Sequence, residues 1–393
     1  MADAIIYCDN AATTFPKPPE VLAFATDWYG RFGVNPGRSG TDLAIEAEGM
    51  VSKTREQLTR FFGSEGDPDR MVFTQNASDS LNIAIQGLLS AGDHVITTDL
   101  DHNSVLRPIY HLTEYEGVES THLPFGDDGR IDPDACRRAI KSNTNAMVMT
   151  HGSNTLGTVQ PVAEVGRICR ERGVTLVLDV AQTAGMIPIK MDEMNVDVIC
   201  FTGHKSLMGP SGIGGMYVRD GIEIAPLRYG GTGVRSEHPD HLDEYPWRLE
   251  CGTLNLFGVA ALSASQDWLD GRGGVDRIAS EERGLTEHLL RGLSSIDGVR
   301  VYGDTRAEEH LPVVSLNVDG MTANNVGTLL DVKFGIATRS GLQCAPRVHQ
   351  ALDTVERKGT VRISLGPFNT ERHVTAVIEA LRDIVSRHGD SGL

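Results

Sequence analysis

Between about residues 70 and 220, short runs of apolar and β-branched residues alternate with helix-like stretches. A run without polar interruptions is typical of a strand that is buried on both faces of a parallel sheet. Two helix-like stretches, 80–90 and 162–172, lie between such runs. The predicted strands are 72–74, 94–98, 146–150, 175–179, 198–202 and 215–218. This alternation predicts an α/β domain with a mostly parallel sheet, whose ligands collect at the loops beyond the strand ends.

The pattern changes after about residue 260. A long helical region over 259–293 precedes further strands, and an amphipathic helix over 371–387 closes the chain. The predicted strands in this part are 298–302, 313–318, 335–338 and 360–364. Strands and helices mixed in this way favour a smaller α+β unit. We therefore predict a large α/β domain over 15–260 and a small α+β domain over 1–14 and 261–393.

The net charge of the chain indicates which kinds of partner it can bind. The 393-residue chain has 36 Lys and Arg against 53 Asp and Glu, a formal net charge of −17. Such a field repels polyanions, so we expect no nucleic-acid partner. The N-terminus has no basic start, and no apolar run approaches the roughly 20 residues that span a bilayer, so we expect a cytoplasmic protein without a membrane partner. The six cysteines are scattered without metal-ligand spacing, so no metal site is expected.

Lys205 is the lysine whose setting is most unusual. Of the seven lysines, it alone directly follows a buried-looking strand, and it enters the glycine-rich turn 202–210. Burial and neighbouring cations lower the pKa of a lysine, which frees the amine to form a Schiff base. On position alone, a surface lysine in a loop after a strand explains the pattern at least as well.

The position of Asp179 favours the interpretation of Lys205 as a lysine that forms a Schiff base. It ends the apolar strand 175–179, where a carboxylate without a partner is costly to bury. Pyridoxal phosphate (PLP) needs such a carboxylate to keep its ring nitrogen protonated, so that the ring can act as an electron sink. Asp179 at one strand end and Lys205 after the next strand suit these two roles. Gln182 is placed to donate to the phenolic oxygen of the ring.

The segment 75–80 is a candidate anion site. It lies between a predicted strand and the start of a helix, where main-chain amides at Ala77 and the hydroxyl of Ser78 could hold a phosphate. Simple capping of the helix explains the same residues. The glycines of 209–215 fit neither a dinucleotide-binding nor a Walker pattern.

Five ordered motifs together resemble the class V aminotransferases, and more narrowly their cysteine desulfurase and selenocysteine lyase branch. They are Asp9-Asn10-Ala11-Ala12-Thr13-Thr14, Ser153-Asn154-Thr155-Leu156-Gly157-Thr158, Asp179-Val180-Ala181-Gln182, Thr202-Gly203-His204-Lys205 and Gly252-Thr253-Leu254-Asn255. The resemblance covers nearly the whole chain. It implies the fold type I architecture of PLP enzymes, a homodimer, and active sites at the subunit interface.

Residue by residue, the resemblance implies that Lys205 carries the cofactor and that His102 stacks on its ring and helps to move protons. The implied cofactor-binding residues are Ala77, Ser78, His102, Asn154, Asp179, Gln182, Thr202, His204, Lys205 and, from the other subunit, Thr253. Asn154, Arg339 and Arg362 are the implied substrate-binding residues. An arginine such as Arg362 suits a substrate carboxylate, because its guanidinium can bind both oxygens at once.

Cys344 decides what kind of reaction is expected. It lies in the loop 339–346, bracketed by glycine and proline, and not in a core strand. An exposed cysteine beside Arg339 could attack as the thiolate. The resemblance implies that Cys344 attacks the sulfur of L-cysteine and becomes a persulfide while alanine leaves. The competing interpretation is a half-buried thiol without a role.

Two details of this loop affect the expected rate of turnover. Relatives often have histidine before the cysteine, whereas this chain has Gln343, so a titratable neighbour of the thiol is missing. Few residues separate Arg339 from Cys344, and among relatives a short loop goes with slow turnover and stimulation by a sulfur-acceptor protein. No role can be assigned from the sequence to Arg347 or His349.

Three alternatives remain open on the sequence. A selenocysteine lyase acting on L-selenocysteine needs the same residues. A plain aminotransferase or epimerase would leave Cys344 without a function. A non-catalytic cofactor-binding protein would have no need for Lys205, Asp179 and Arg362 together.

Overall fold

The computed structural model describes residues 5–36, 40–306 and 310–391. Its strands are β1 (Ile6–Tyr7), β2 (Met71–Thr74), β3 (His94–Thr98), β4 (Glu119–Leu123), β5 (Thr144–Thr150), β6 (Thr175–Asp179), β7 (Val198–Thr202), β8 (Gly214–Val218), β9 (Val299–Tyr302), β10 (Val313–Val318), β11 (Ile336–Ala337), β12 (Arg339–Gly341) and β13 (Thr360–Ser364). Its helices are α1 (Pro19–Phe32), α2 (Asp42–Phe61), α3 (Ala77–Leu88), α4 (Asn103–Tyr115), α5 (Pro133–Ala139), α6 (Val162–Arg172), α7 (Leu256–Gly271), α8 (Gly274–Ser294), α9 (Ala323–Phe334), α10 (Pro346–Ala351) and α11 (Glu371–Ser391).

The largest sheet has seven strands in the order β2-β8-β7-β6-β5-β3-β4. The pairs β3–β4, β3–β5, β5–β6 and β6–β7 are parallel. Only β8 runs against its neighbours, because it pairs antiparallel with both β7 and β2. The predicted α/β fold with a mostly parallel sheet is confirmed.

The central strands are mostly apolar because both faces of the sheet are covered. Alternate residues point to opposite faces of a strand. On β5, Met147 and Met149 belong to one apolar core, and Val148 belongs to the core on the other face. On β6, Leu178 and Val177 are divided in the same way. Layers of helices on both faces leave the strand ends as the places where polar side chains can gather.

A second, four-stranded sheet has the order β12-β13-β10-β9 and is antiparallel throughout. Its own apolar core includes Leu316 and Ile363 from the sheet and Leu381 from α11. The N-terminal segment joins this part of the molecule, because β1 pairs in parallel with β11 and Cys8 lies in the same core. The division into domains 15–260 and 1–14 with 261–393 stays a prediction, and its first four residues lie outside those that the structure describes.

Several elements differ from their predicted bounds. The helical region predicted over 259–293 is two helices, α7 and α8, because Gly273 and Gly274 adopt φ values of 94° and 80° that end a right-handed helix. Helix α3 begins at Ala77, three residues before the predicted start. Strand β4 was not predicted. Among the described residues, no helix is long and apolar enough to cross a membrane.

Candidate active site

A cavity of roughly 420 Å³ lies at the carboxyl ends of the central strands. It brings together nine of the ten residues predicted to bind a cofactor: Ala77, Ser78, His102, Asn154, Asp179, Gln182, Thr202, His204 and Lys205. The carboxyl ends of β2, β5, β6 and β7 lie at the same edge of the sheet, with β8 between β2 and β7. Residues more than a hundred positions apart therefore line one cavity. Thr253, predicted to come from the other subunit, is exposed and does not line the cavity.

Lys205 lies in the turn that follows β7, partly buried in the cavity wall. Burial lowers its pKa to about 8, although the neighbouring carboxylate of Asp179 opposes that shift. The peptide before it is held firmly, since the carbonyl oxygen of His204 accepts from the Thr13 hydroxyl at 3.0 Å and from the Thr14 amide at 3.3 Å. The Nζ of Lys17 donates to the same oxygen. A lysine held with its pKa near neutrality can act as a nucleophile and as a proton carrier.

Asp179 occupies the last position of β6 and is almost fully buried. Burial raises the pKa of its carboxyl group, while the Ala181 amide at 2.9 Å from Oδ1 and the charge of Lys205 lower it. Its main-chain carbonyl accepts from the His151 amide at 2.9 Å, which fixes the strand end. Gln182 is also buried and donates from Nε2 to the Ala11 carbonyl at 3.1 Å.

His102 caps the start of α4 and is fixed by that role. Its Nδ1 accepts from the Ser104 amide at 3.0 Å. Burial, with the nearby charge of Lys205, lowers the pKa of His102 to about 4, so the ring is neutral at physiological pH. This neutral ring lines the cavity, where an aromatic side chain can stack on a flat ligand.

Asp101, to which sequence reasoning gave no role, is fully buried beside His102. Its Oδ2 accepts from the Thr97 hydroxyl, the Thr98 amide and the Thr98 hydroxyl, and its Oδ1 accepts from the Thr150 amide. These bonds tie the end of β3 to the end of β5. The only local signal in the sequence was an acid shortly after a buried strand, which many loops share.

The predicted anion site at the start of α3 is a capped helix end that lies across the cavity from a hydroxyl without a partner. Asn76 caps the helix, with its Oδ1 accepting from the Asp79 amide at 3.0 Å. Ser78 takes no part in capping, and its hydroxyl lies 2.5 Å from the Ser104 hydroxyl. Across the cavity, the Thr202 hydroxyl is buried and has no hydrogen-bond partner. A buried hydroxyl without a partner is costly, so it indicates that a polar ligand group completes the site.

Cys344 is exposed, as predicted, at the edge of a neighbouring cavity of roughly 480 Å³. That cavity shares Ser78, His102 and Ser104 with the first one, so the thiol lies beside the mouth of the candidate site. The Asn103 amide donates to the Cys344 carbonyl at 2.8 Å, which ties the cysteine loop to the start of α4.

Arg362 lies on β13 and is 3% exposed. Its Nη1 donates to the Asn154 carbonyl at 3.0 Å, and its Nη2 bonds Asp9 Oδ1 at 2.8 Å, while its Nε is buried without a partner. Arg339 is exposed on β12, paired in register with Arg362. Neither arginine lines the 420 Å³ cavity itself. Their binding of a substrate carboxylate stays a prediction.

One side chain of the cysteine loop, that of Gln343, is turned into the protein interior. That the thiol lacks a titratable neighbour at this position stays a prediction. Gln343 is buried, and its amide bonds His349 and Thr360. The side chain at position 343 is therefore placed to support the loop and is not placed to take a proton from Cys344. Arg347, on the same helix as His349, pairs with Asp99.

Among the described residues, no group of three or more His, Cys, Asp or Glu side chains could hold a metal ion. A lysine with a lowered pKa, a buried carboxylate and a buried hydroxyl without a partner are groups that suit an aldehyde cofactor with a ring nitrogen and a phosphate.

Comparisons with known proteins give one consistent result. The profile of the family described as Aminotransferase class-V matches residues 6–377. A probable cysteine desulfurase of Methanothermobacter thermautotrophicus is 34% identical over 384 residues, which cover 96% of this chain and 94% of that protein. A probable cysteine desulfurase of Halobacterium salinarum is 34% identical, with 96% and 91% covered.

Solved structures agree. The apo cysteine desulfurase of Thermococcus onnurineus NA1 superimposes with a TM-score of 0.90 at 31% identity, covering 97% of this chain and 95% of that one. The cysteine desulfurase CsdA of Escherichia coli superimposes with a TM-score of 0.85 at 26% identity, covering 98% and 96%.

Proposed function

Because this chain belongs to the class-V aminotransferase family, we propose that it is a PLP-dependent cysteine desulfurase. The proposed reaction converts L-cysteine to L-alanine and leaves the sulfur on Cys344. The observation that supports it best is one arrangement: Lys205 and Asp179 share a cavity, and an exposed cysteine lies beside the mouth of that cavity. A family member without sulfur chemistry would have no use for a thiol in that place.

The residues of the cavity fit PLP. Lys205 would hold its aldehyde carbon, Asp179 its ring nitrogen, and Gln182 its phenolic oxygen, with His102 against the ring face. The partnerless Thr202 hydroxyl, with Ser78, His204 and the amides at Ala77, would hold the phosphate. Asn154 would lie near the cofactor oxygen and the substrate. When bound, PLP supplies an electron sink that weakens the bonds around the α-carbon of an amino acid.

Lys205 has two proposed tasks. Its Nζ would hold the cofactor, and with substrate bound it would carry a proton to or from the substrate carbon. Both tasks need an amine that loses and regains a proton near neutral pH, and the pKa of about 8 meets that need. Asp179 would face the ring nitrogen and hold its proton in place, and the charge of Lys205 opposes the rise that burial causes in the pKa of this carboxyl group.

Arg362 and Asn154 would place the substrate. The Nε of Arg362 is buried without a partner, while its other nitrogens are fixed by Asp9 and the Asn154 carbonyl. A guanidinium already oriented in this way loses little freedom on binding a carboxylate. Arg339, exposed on the neighbouring strand, would add positive charge at the entrance.

Sulfur transfer is a displacement at the sulfur atom of the substrate. The Cys344 thiolate attacks this sulfur, so an S–S bond forms and the C–S bond breaks. The electron pair of the C–S bond stays with the substrate carbon, which gains a proton and becomes the methyl group of alanine. In total, L-cysteine and the thiol of Cys344 give L-alanine and a persulfide on Cys344, without any other oxidant. A sulfur-acceptor protein then removes the outer sulfur.

The active form would be a homodimer. Thr253 is exposed and lies outside the cavity of its own subunit, which supports the proposal that the partner subunit's Thr253 completes the phosphate site. Helix α1 also exposes Leu22, Phe24 and Tyr29, as the surface of a protein that associates with a second copy would.

The test compares wild type, Cys344→Ser and Lys205→Ala with L-cysteine and with L-selenocysteine, measuring alanine. We expect Cys344→Ser to lower the rate with L-cysteine by at least about 100-fold and Lys205→Ala to abolish both reactions. Cys251→Ser, which changes the other cysteine that is not fully buried, is the control and should match wild type.

If Cys344→Ser keeps the full rate with L-cysteine, the cysteine has no part in the reaction and the proposal fails. Loss of only the L-cysteine reaction in Cys344→Ser indicates a desulfurase, whereas a wild type that forms alanine from L-selenocysteine and none from L-cysteine would be a selenocysteine lyase. Release of a keto acid in place of alanine would identify an aminotransferase.

A further inference from the structure

The two residues at the tip of the cysteine loop have an unfavourable backbone conformation. Gln343 and Cys344 have φ values of 43° and 59°, both in the left-handed region. Residues other than glycine rarely adopt that backbone region. Two such residues in succession cost free energy that surrounding contacts must offset. Contacts with the rest of the protein must therefore stabilise this backbone conformation.

The amide of Gln343 is the first part of the support. It is 7% exposed, and its Nε2 donates to the Thr360 carbonyl at 2.9 Å. A carbonyl oxygen can only accept, so the amide nitrogen must face Thr360 and the amide oxygen must face the other way. That oxygen, Oε1, lies 2.8 Å from His349 Nε2 and 3.3 Å from the Thr360 hydroxyl.

The orientation of Gln343 determines the protonation of His349. Because Gln343 Oε1 is an acceptor, the hydrogen of the imidazole must be on Nε2. The other nitrogen, Nδ1, then accepts from the Thr354 hydroxyl at 2.8 Å. His349 is fully buried, and burial lowers its pKa to about 4, so the neutral ring persists over the physiological range. The four side chains of Gln343, His349, Thr354 and Thr360 form one satisfied network, which we call the Gln343 anchor.

The main chain links this anchor to the walls of the active-site cavity. Asn154 Nδ2 donates to the Gln343 carbonyl at 2.6 Å, and the Asn103 amide donates to the Cys344 carbonyl at 2.8 Å. Asn154 lines the cavity, and Asn103 follows His102 directly. The Gln343 anchor therefore holds the loop through side-chain hydrogen bonds, and Asn154 and Asn103 hold its main chain next to the cavity.

We propose that Gln343 and His349 are positioning residues for sulfur transfer, which hold the Cys344 thiol at the distance and angle that attack on the substrate sulfur requires. This inference rests on the proposed function, because it assigns the anchor a part in that reaction. Neither side chain touches the reacting atoms. Their effect passes through the backbone of residues 343 and 344, so it should appear in turnover and leave substrate binding alone.

The test compares two substitutions of His349 in the cofactor-loaded protein. His349→Leu fills a similar volume without a donor, whereas His349→Gln keeps an N–H at the position of Nε2. We expect His349→Leu to lower kcat for alanine formation from L-cysteine by about 10–100-fold, with KM within about threefold of wild type. His349→Gln should restore most of the rate. Gln350→Ala, on the exposed side of α10, is the matched control and should equal wild type.

Hydrogen exchange provides a second readout that does not depend on activity. Amides of the peptide 340–352 should exchange about tenfold faster or more in His349→Leu, with the peptides of the cofactor cavity unchanged. If His349→Leu does not fold, Gln343→Ala gives the same two measurements.

Wild-type kcat and wild-type exchange in His349→Leu would overturn the proposal, as would an equal loss in His349→Gln. Loss of bound cofactor together with a raised KM would show a general structural role and would also overturn it. If wild type forms no alanine at all, the proposed function fails, and slower or faster exchange still reports separately on the anchor.

Discussion

At the scale of single residues, burial sets the charge properties of the candidate site. It lowers the pKa of Lys205 to about 8 and raises that of Asp179, while the charge that each group presents to the other opposes both shifts. For each group, the net pKa shift is therefore smaller than burial alone would cause. The proposed function uses both groups, with Lys205 holding the cofactor and Asp179 facing its ring nitrogen.

Asp101 allows a sharp prediction, because its two oxygens each face a main-chain donor. Oδ1 accepts from the Thr150 amide at 2.6 Å and Oδ2 from the Thr98 amide at 2.7 Å. In Asp101→Asn, the NH₂ group must point at one of these amides whichever way the side chain is turned. We expect a loss of about 1–3 kcal/mol in the free energy of unfolding, measured with urea, because one buried donor is left unsatisfied.

Asp127→Asn, a like-for-like change at an exposed loop position, is the control and should leave that free energy unchanged. An Asp101→Asn protein as stable as wild type would contradict the assignment of these four bonds.

The sequence predicted the residues of the cavity that follow apolar strands, because the carboxyl ends of parallel strands meet at one edge. Asp179 and Lys205 are of this kind. Lys17 and the direction of the Gln343 side chain could not be predicted, since each depends on a tertiary contact. Lys17 reaches a carbonyl 187 positions away, and nothing in its local sequence signals that.

At the scale of secondary-structure elements, helix α8 carries an unfavourable group in its buried face. Glu282 is 3% exposed, and its Oε2 is buried without a hydrogen-bond partner. Burial raises the pKa of this carboxyl group to about 8. A raised folded-state pKa means that its contribution to stability is present below the ordinary pKa of glutamate and is lost as the pH rises through about 8.

We therefore predict that Glu282→Met stabilises the protein. The gain in unfolding free energy should be about 1–4 kcal/mol at about pH 9, and it should shrink toward about pH 5, where the folded wild type holds the carboxyl group neutral. Urea unfolding at both pH values measures this, with Glu287→Met on an exposed position of the same helix as the control. A Glu282→Met protein that is less stable at about pH 9 would contradict the account.

The elements that were predicted well are those whose burial leaves a clear pattern in the sequence. The bounds of β6, β7 and α6 match the prediction, because burial on both faces or a clear amphipathic period leaves a strong pattern. Strand β4 is an edge strand with the sequence Glu119-Ser120-Thr121-His122-Leu123, and most of these residues are at least partly exposed. Its polar composition hid it, since only one of its edges pairs with the sheet.

At the scale of the whole molecule, the N-terminal segment links the two sheets through the site. Asp9 bonds Arg362 on the small sheet, and the Ala11 carbonyl accepts from Gln182 at the end of the large sheet. Thr13 then bonds the carbonyl before Lys205. One short stretch of chain thus contacts the candidate substrate, ring and lysine positions in turn. The motif Asp9 to Thr14 carried the family resemblance, but its contacts could be seen only in the fold.

Buried neutral histidines make the molecule sensitive to acid. Burial lowers the pKa of both His151 and His349 to about 4. A lowered folded-state pKa means that the unfolded chain takes up the proton first, so this part of the stability is present above the ordinary pKa of histidine and is lost as the pH falls toward about 4.

The expected result is a free energy of unfolding that falls by up to about 1.4 kcal/mol per pH unit for each of these histidines between about pH 6.5 and pH 4. Urea unfolding across that interval measures the slope. His349→Gln should reduce the slope by the contribution of one histidine. A slope that is identical in wild type and His349→Gln would contradict the assignment of His349 as buried and neutral.

The central claim is that the sulfur of L-cysteine passes to Cys344. Its most direct test is one incubation of the cofactor-loaded protein with L-cysteine, in which alanine and the mass of the peptide containing Cys344 are measured together. We predict one added sulfur atom on Cys344 for each alanine formed in the first turnover, and none on Cys251 or the buried cysteines. Alanine that forms while Cys344 gains no sulfur would contradict the account.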